Sequence, residues 1–274
     1  MEAQKTIKKK FSLEGKGLQT GKPVKAVFYP GNKNEGIIFV RKDLKNRPAI
    51  RLKDLLGMDT DRRSIIGIKD GHYVETVEHI TAALWGAEID NIKIELDSSE
   101  PPALDGSSLE FLEALIETGV EEQDAPREFV EVKNPVWTEE KESFLGVFPS
   151  SSFKISYVLE YPASTIGRQF FSNIVTTEVF RKEIAPARTF CLKEEAEALL
   201  EQGYGKGADL TNTLVMDEKG PIENTLRFSD EPVRHKVLDL IGDLYILGKP
   251  IKGRVIAIRS GHKMNLELVR LPRP

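Results

Sequence analysis

The stretch "EPVRHKVLDLIGDLYILG", residues 231–248, constrains this chain most, because it sets three ionisable side chains at helical spacing inside an otherwise apolar segment. Steps of four residues advance an α-helix by about 400° and roughly 6 Å, so His235, Asp239 and Asp243 form one slanting row on a single face. The opposite stripe, from Val237 and Leu238 through Leu240, Ile241 and Leu244 to Ile246 and Leu247, is suited to burial, and Gly248 with Pro250 supplies a stop signal. Charged side chains are seldom buried without partners, so the row must meet water, a counter-charge or a metal. Two carboxylates and a histidine on a solvated face are ordinary, and the row alone leaves these readings open.

Geometry narrows the metal reading. His235 and Asp239, one turn apart, can meet at a single ion, whose ligand distances are about 2.0–2.2 Å for zinc. Asp243 lies two turns and about 12 Å along the axis from His235, so it is expected beside the site or with another partner. A catalytic zinc takes three protein ligands and keeps one position open, so a third must come from elsewhere. The histidines are His72, His79, His235 and His262. His79 is the best candidate. In "VETVEHITAALWG", Thr76 reads as an N-cap, Val77, Ile80, Ala83 and Leu84 as the apolar stripe, and Gly86 as the stop. Glu78 then sits in the first turn, where the helix dipole favours a carboxylate. Beside a metal ligand it can act as general base on water, although a plain helix-start charge has the same signature. His72, in "KDGHYVE", reads as a hairpin-loop residue and is set aside.

Several motifs together carry a resemblance. "TVEHI", "LDGSS", "ARTF" and "VRHKVLDLIGDLYILG", followed by "SGH", resemble the zinc-dependent UDP-3-O-acyl-N-acetylglucosamine deacetylases, which remove acetate in the committed step of lipid A biosynthesis in Gram-negative bacteria. The motifs run in that family's order from "GKGLQTGK" at 15–22 to "SGHKMN" at 260–265. A lone His-x-x-x-Asp would be weak, but its coincidence with an upstream Glu-His, an Arg-Thr-Phe and a downstream Ser-Gly-His is specific. The resemblance implies one Zn2+ held by His79, His235 and Asp239, Glu78 as base, and a UDP-linked acylated glucosamine as substrate. Two other readings stand beside it: a related metal-dependent amidase acting on a different acylated or nucleotide sugar, and an idle binding protein that kept the fold.

Amide hydrolysis also needs oxyanion stabilisation and a proton for the departing amine. Thr189 in "PARTF" offers a hydroxyl that the resemblance places beside the metal; otherwise it is a strand threonine bonding its neighbours. Lys236 follows a ligand, points away from the apolar face and can stabilise negative charge. His262 follows Ser260 and Gly261 where loops present functional groups, and Asp243 can hold its ring and favour its protonated form. For the diphosphate, "GYGKGAD" at 203–209 offers Lys206 among glycines without the spacing of a P-loop, and Arg259 and Lys263 flank His262. Phe190 can stack on the sugar. The helix at 192–202, with Leu192, Ala196, Leu199 and Leu200, lines an acyl-chain passage in the family and is otherwise plain core.

Three places depart from the family's pattern: Gln19 in "GLQTG" where histidine is usual, Arg62 and Arg63 in "DTDRRS" where residues are small or apolar, and Arg259 where lysine is common. They bear on substrate handling and leave the ligands and base in place. Arg62 and Arg63 are expected at a rim, contacting phosphate or a carboxylate, or solvated beside Asp59 and Asp61.

With 274 residues, 40% hydrophobic and 30% charged, the chain can build one large core or two modest ones. Its net charge of −4 argues against a nucleic-acid partner. A single cysteine, Cys191, excludes an internal disulfide, "MEAQKTIKKKF" lacks a signal-peptide core, and no apolar run is long enough for a transmembrane segment. A cytoplasmic monomer is expected. Lys5, Lys8, Lys9 and Lys10 read as a solvated strand flank or a transient membrane-surface contact.

Along the chain, "AVFYP" and "GIIFVR" read as strands, 77–85 as a helix, "NIKIEL" as a strand and "SSLEFLEALIETG" as a helix capped by Ser107 or Ser108. The polar run "EEQDAPRE", 121–128, marks a boundary between domains at 1–124 and 125–274. The second domain reads "EFVEVK", "SFLGVF" and "FKISYVLEY" as strands, "LKEEAEALLEQG" as a helix, "TLVM" as a strand, then the opening helix, with "GRVIAIR" and "LELVRL" as strands. The fold class is α+β: two similar domains, each a β-sheet covered by two helices, with the active site between them.

Overall fold

The computed structural model describes residues 2–271 except 53–55, 58–62, 68–70 and 163. It is a mixed α+β structure whose two halves repeat one plan. In the first half, strands Phe11–Lys16 and Pro23–Pro30 pair antiparallel, as do Ile37–Arg41 and Ala49–Arg51. Strand Ile92–Leu96 fills the gap between the pairs, antiparallel to Pro23–Pro30 and parallel to Ile37–Arg41. Helix α1 (Glu78–Gly86) precedes this central strand and α2 (Leu109–Thr118) follows it.

In the second half, Val136–Glu140 pairs with Ser143–Phe148 and Lys154–Tyr161 with Gly167–Ile174. Strand Arg254–Ile258 fills the gap with the same two orientations. A short α3 (Thr177–Val179) runs into a π-helical turn at Phe180–Ile184, and α4 (Lys193–Glu201) follows. Helix α5 (Glu231–Tyr245) precedes the central strand and α6 (His262–Arg270) follows it. Each half carries an insertion between its fourth strand and its first covering helix. The first insertion is a small sheet of Leu56–Gly57, Ile65–Gly67 and Tyr73–Glu75; the second contains α4 and the sheet of Phe190–Leu192, Leu214–Asp217 and Gly220–Pro221.

Period-2 patterning turns one face of each sheet inward: Val24, Ala26 and Phe28 in the first half, Leu145 and Val147 in the second, all buried. Helices α1 and α5 pack against each other at the centre, and α5 also rests on Lys154–Tyr161 and Gly167–Ile174. The crossing is close because residue 242 is glycine. A Cβ there would lie 2.0 Å from the Glu78 carbonyl oxygen, while the Thr81 hydroxyl donates to the Gly242 carbonyl at 2.9 Å. That approach sets the start of α1 against the polar row of α5.

Several expectations are corrected. Thr76 does not cap α1; its φ is +55° and its hydroxyl donates to Glu100 at 3.3 Å, so the helix starts at Glu78 without a side-chain cap. Gly86 serves packing rather than a left-handed stop, since a Cβ there would meet the Phe180 ring at 2.3 Å. Most of the boundary run 121–128 lies in a strand, Val120–Pro126, paired with Ala3–Ile7. Buried Ile7 faces inward there, and Gln123 accepts from the Asn91 amide at 2.7 Å. We propose that the two halves divide just beyond Pro126. "LELVRL" belongs to α6 rather than to a strand. Its buried residues His262, Asn265 and Leu266, with Met264 and Leu268, follow helical spacing under a misleading alternation. The edge strands Phe11–Lys16, Val136–Glu140 and Gly167–Ile174 are additions to the sequence reading.

Candidate metal centre

The row on α5 faces the first turn of α1, not water. His79, His235 and Asp239 are buried, and one ligand-capable atom from each lies within 4.8 Å of the others. Asp239 Oδ1 stands 3.3 Å from His235 Nε2 and 3.7 Å from His79 Nε2. The second donor atom of His235 and that of Asp239 are already engaged. His235 Nδ1 meets the Ala187 carbonyl at 3.1 Å, which fixes the tautomer that leaves Nε2 with a lone pair, and Lys236 Nζ donates to Asp239 Oδ2 at 2.7 Å. Asp239 Oδ1 is buried without a hydrogen-bond partner among the described residues. A buried carboxylate oxygen left unpaired is costly, and two imidazole nitrogens and one carboxylate oxygen aimed at one point suit a zinc-type ion.

Electrostatics agrees with this geometry. Burial, and then the neighbouring His235, push His79 down to about 3, and burial lowers His235, so both rings are neutral and able to ligate at neutral pH. Burial alone would raise Asp239, but His235 and Lys236 outweigh it and hold the carboxylate well below its ordinary range. Lys236 is held above its ordinary value: burial opposes the charge and Asp239 outweighs burial.

A second buried cluster adjoins the first. Glu78, Asp243 and His262 converge, with His262 Nδ1 at 2.9 Å from Asp243 Oδ2, and His262 Nε2 at 4.0 Å from Glu78 Oε1 and 3.6 Å from Asp239 Oδ2. Asp243 is held further by the Asn265 amide at 2.8 Å and by the Ser64 hydroxyl, and the Ser64 amide donates to Glu78 at 3.1 Å. Burial raises Glu78 to about 7. For His262, burial works against the charge, but Asp243, Glu78 and Asp239 outweigh it and hold the imidazolium up to about 9. The pair is thus a carboxyl group able to lose a proton near neutrality beside a ring able to give one.

The family model for UDP-3-O-acyl N-acetylglycosamine deacetylase matches residues 4–271. The chain belongs to this family. Among curated relatives, the UDP-3-O-acyl-N-acetylglucosamine deacetylase of Thermodesulfovibrio yellowstonii is 40% identical over 270 residues, covering 98% of this chain and 91% of the relative. That of Chlamydia muridarum is 41% identical over 270 residues, covering 97% and 93%, and that of Chlamydia caviae 40% over 272 residues, covering 98% and 96%.

Around the two clusters, this deacetylase-family chain opens two hollows. A cavity of about 320 Å³ is lined by Ala196, Leu199 and Leu200 of α4, by Thr189 and Phe190, and by Leu18 and Gln19 from the first half. A polar cleft of about 660 Å³ is lined by Lys236, Tyr161, Arg259, His262 and Lys263 among others. Phe190 stands where they approach each other, its ring edge-on to Tyr161 at 5.8 Å and to His235 at 6.2 Å between centroids. Thr189 lies just before strand Phe190–Leu192, two residues after the Ala187 whose carbonyl holds His235, and its amide donates to the Gly106 carbonyl at 2.8 Å. Arg259 lies in the cleft with its guanidinium at 2.5 Å from Glu142 and 3.5 Å from Glu160. Lys206 is exposed and stands apart from that cleft, on the loop that borders the apolar cavity. Arg62, Asp59 and Asp61 lie outside the described residues. Arg63 meets a carboxylate, Glu75, at 2.8 Å and lies over the Tyr204 ring at 4.8 Å.

Residues that sequence reasoning missed all act by holding others. Ser64 and Asn265 hold Asp243. Glu100, fully buried, accepts from the Gln19 and Thr20 amides at 3.1 and 2.7 Å and so shapes the 17–21 loop. Gln19 then accepts from Gly205 and Lys206, at 3.1 Å on its side chain and 3.2 Å on its carbonyl, tying that loop to the cavity's far wall. Asn265 had a legible signal, its place one turn after His262, which the strand reading of "LELVRL" hid.

Proposed function

We propose that the chain hydrolyses the N-acetyl group of UDP-3-O-acyl-N-acetylglucosamine, releasing acetate for lipid A biosynthesis, with one zinc ion held by His79, His235 and Asp239. The observation that carries the metal assignment is the unpaired, buried Asp239 Oδ1 facing two imidazole Nε2 atoms. When bound, such an ion polarises a carbonyl and acidifies water. Glu78, with a pKa that burial brings to about 7, takes the proton of the attacking water. His262, kept protonated by Asp243, stabilises the developing oxyanion and passes its proton to the departing amine. Lys236 neutralises Asp239 and adds positive charge at the cleft wall, and Thr189 offers a hydroxyl to the oxyanion.

The apolar cavity along α4 receives the acyl chain, with Leu199 on its wall, and the polar cleft receives the nucleotide diphosphate beside Arg259 and Lys263. Phe190, between the two, packs on the sugar. Lys206 reaches the substrate only from the cavity side. No described helix is long and apolar enough to cross a membrane. On the family likeness we assign the enzyme to the cytoplasm, acting as a monomer. The test is acetate release by zinc-loaded protein from the 3-O-acylated UDP sugar and from its des-acyl analogue. Rapid turnover of the first and slow turnover of the second is expected; no acetate from either, at one zinc per chain, sinks the assignment.

A further inference from the structure

The two halves differ most on the sheet faces turned away from the helices. In the first half these positions carry paired charges, with Lys25 on Glu14 at 2.6 Å and Lys93 on Glu95 at 3.1 Å. In the second half the same strand plan presents Trp137, Phe170, Ile174 and Ile258, exposed by 54%, 61%, 50% and 37%. The register sets Ile258 between Phe144 and Val158, and Val158 beside Phe170, so the band crosses four strands without a break. A Cβ on Gly146 would lie 2.9 Å from Phe144 Cζ and 3.0 Å from Phe148 Cε2. Both rings therefore lie across the outward face, next to Trp137 opposite Gly146 in register.

Two cations, Lys154 and Arg254, stand side by side at one end of this band, next to Ile174 and Phe148, with no carboxylate partner among the described residues. The other end is bounded by Glu139 and by Glu160, which pairs with both Arg168 and Arg259. The topology is shared with the first half, so the apolar face belongs to this sequence and not to the fold. Five strands about 4.8 Å apart and three outward rows about 7 Å apart give an area on the order of 500 Å². A stable dimer commits about 800 Å² from each partner, which argues against a second copy as the occupant.

We propose that this face docks on the headgroup boundary of an anionic lipid bilayer. Tryptophan and phenylalanine favour that boundary, unpaired cations meet anionic headgroups, and a bilayer needs no matching contour. The face is separate from Lys8, Lys9 and Lys10, which follow the Ala3–Ile7 strand of the first half. Its end at Ile258 adjoins Arg259 on the rim of the polar cleft, so docking holds the cleft's mouth beside the membrane.

Flotation of the purified full chain with vesicles of phosphatidylglycerol and phosphatidylethanolamine, against vesicles of phosphatidylcholine alone, tests this. Binding to the anionic vesicles is expected to fall about tenfold in F170E/I174E, several-fold in K154E/R254E, and not at all in K8E/K9E/K10E. A direct readout needs no disruptive variant: Trp137 emission, taken as the difference from W137F with buried Trp85 remaining, should shift to shorter wavelength on anionic vesicles and be quenched by brominated lipid. Failure of the native chain to float, unchanged flotation of a folded F170E/I174E, or a silent Trp137 overturns the proposal. So does a concentration-dependent dimer in sedimentation that F170E/I174E abolishes, since the occupant is then a second copy.

Discussion

The helix before the central strand offers chemistry only at its first two residues, Glu78 and His79, in the first half; in the second half the equivalent helix offers it along two turns, at His235, Asp239 and Asp243. Helix α1 is nine residues long and buried at every one, so only its first turn, where backbone amides are unpaired, tolerates ionisable groups. Helix α5 is fifteen residues long and spends one whole stripe on polar groups, because α1 and α6 bring partners to that stripe. Duplicating an architecture therefore does not duplicate a site. One half supplies a single terminus, the other a ruled line of donors, and the centre exists only where Gly242 lets them touch.

If the halves contribute as equals, losing a donor from either should empty the centre. His79→Ala, His235→Ala and Asp239→Ala are each expected to strip the metal and abolish turnover, whereas Glu78→Gln keeps the metal and loses about 10²- to 10⁴-fold in rate. Metal analysis alongside acetate release decides it; full zinc retention in the His79 variant would make the second half sufficient. Next in size is the contact itself. Gly242→Ala forces a Cβ against the Glu78 carbonyl, and overpacking of this kind typically costs about 1–3 kcal/mol. A lower melting temperature together with a kcat loss larger than the KM change is expected, because Glu78 moves with its backbone.

A smaller effect tests whether Asp243 works through His262. Activity requires Glu78 deprotonated, so it rises with pH through the Glu78 pKa, which a bound dication draws below the value of about 7 that the protein sets. It requires His262 protonated, so it falls as pH rises through the His262 pKa, which the same dication draws below the value of about 9 that the protein sets. Asp243→Asn removes the charge that raises His262, and the alkaline limb of kcat/KM should move to lower pH while the metal stays bound. An unmoved limb would break the pairing. The smallest effect concerns the insertions. Arg63 joins them, pairing with Glu75 of the first and stacking on Tyr204 beside the second. Arg63→Leu should raise KM for long-chain substrates a few-fold, about 1 kcal/mol, with kcat preserved, and leave short-chain substrates unaffected.

Much of this arrangement was legible where a repeating pattern met a chemical constraint. The i, i+4 row of α5 and the scarcity of histidine singled out residues that the fold does bring together. The inward period-2 strands and the similar order of elements in both halves were legible for the same reason. What stayed hidden depends on contacts between distant segments. Ser64 and Glu100 occupy unremarkable positions in the sequence, and their roles arise only when separate loops meet at Asp243 and at Gln19. The strand Val120–Pro126 was hidden because it is held by polar contacts, the Pro126 carbonyl accepting from the Gln4 side chain and the Gln123 side chain from Asn91, rather than by an apolar stripe. In α6, alternating leucines imitated a strand and concealed Asn265.

The strand order carries a consequence for how the chain acquires its shape. In both halves the central strand is the last of its sheet to be synthesised, so two hairpins must wait with unpaired edges until it arrives. In the first half the wait lasts about 40 residues, from Arg51 to Ile92; in the second it lasts about 80, from Ile174 to Arg254, close to the chain's end. Contacts of such separation slow folding and leave edges open to wrong partners. The half that donates most of the centre is thus the half completed last, and a nascent chain released before Arg254 would hold His235, Asp239 and Asp243 on a helix with no finished sheet beneath it.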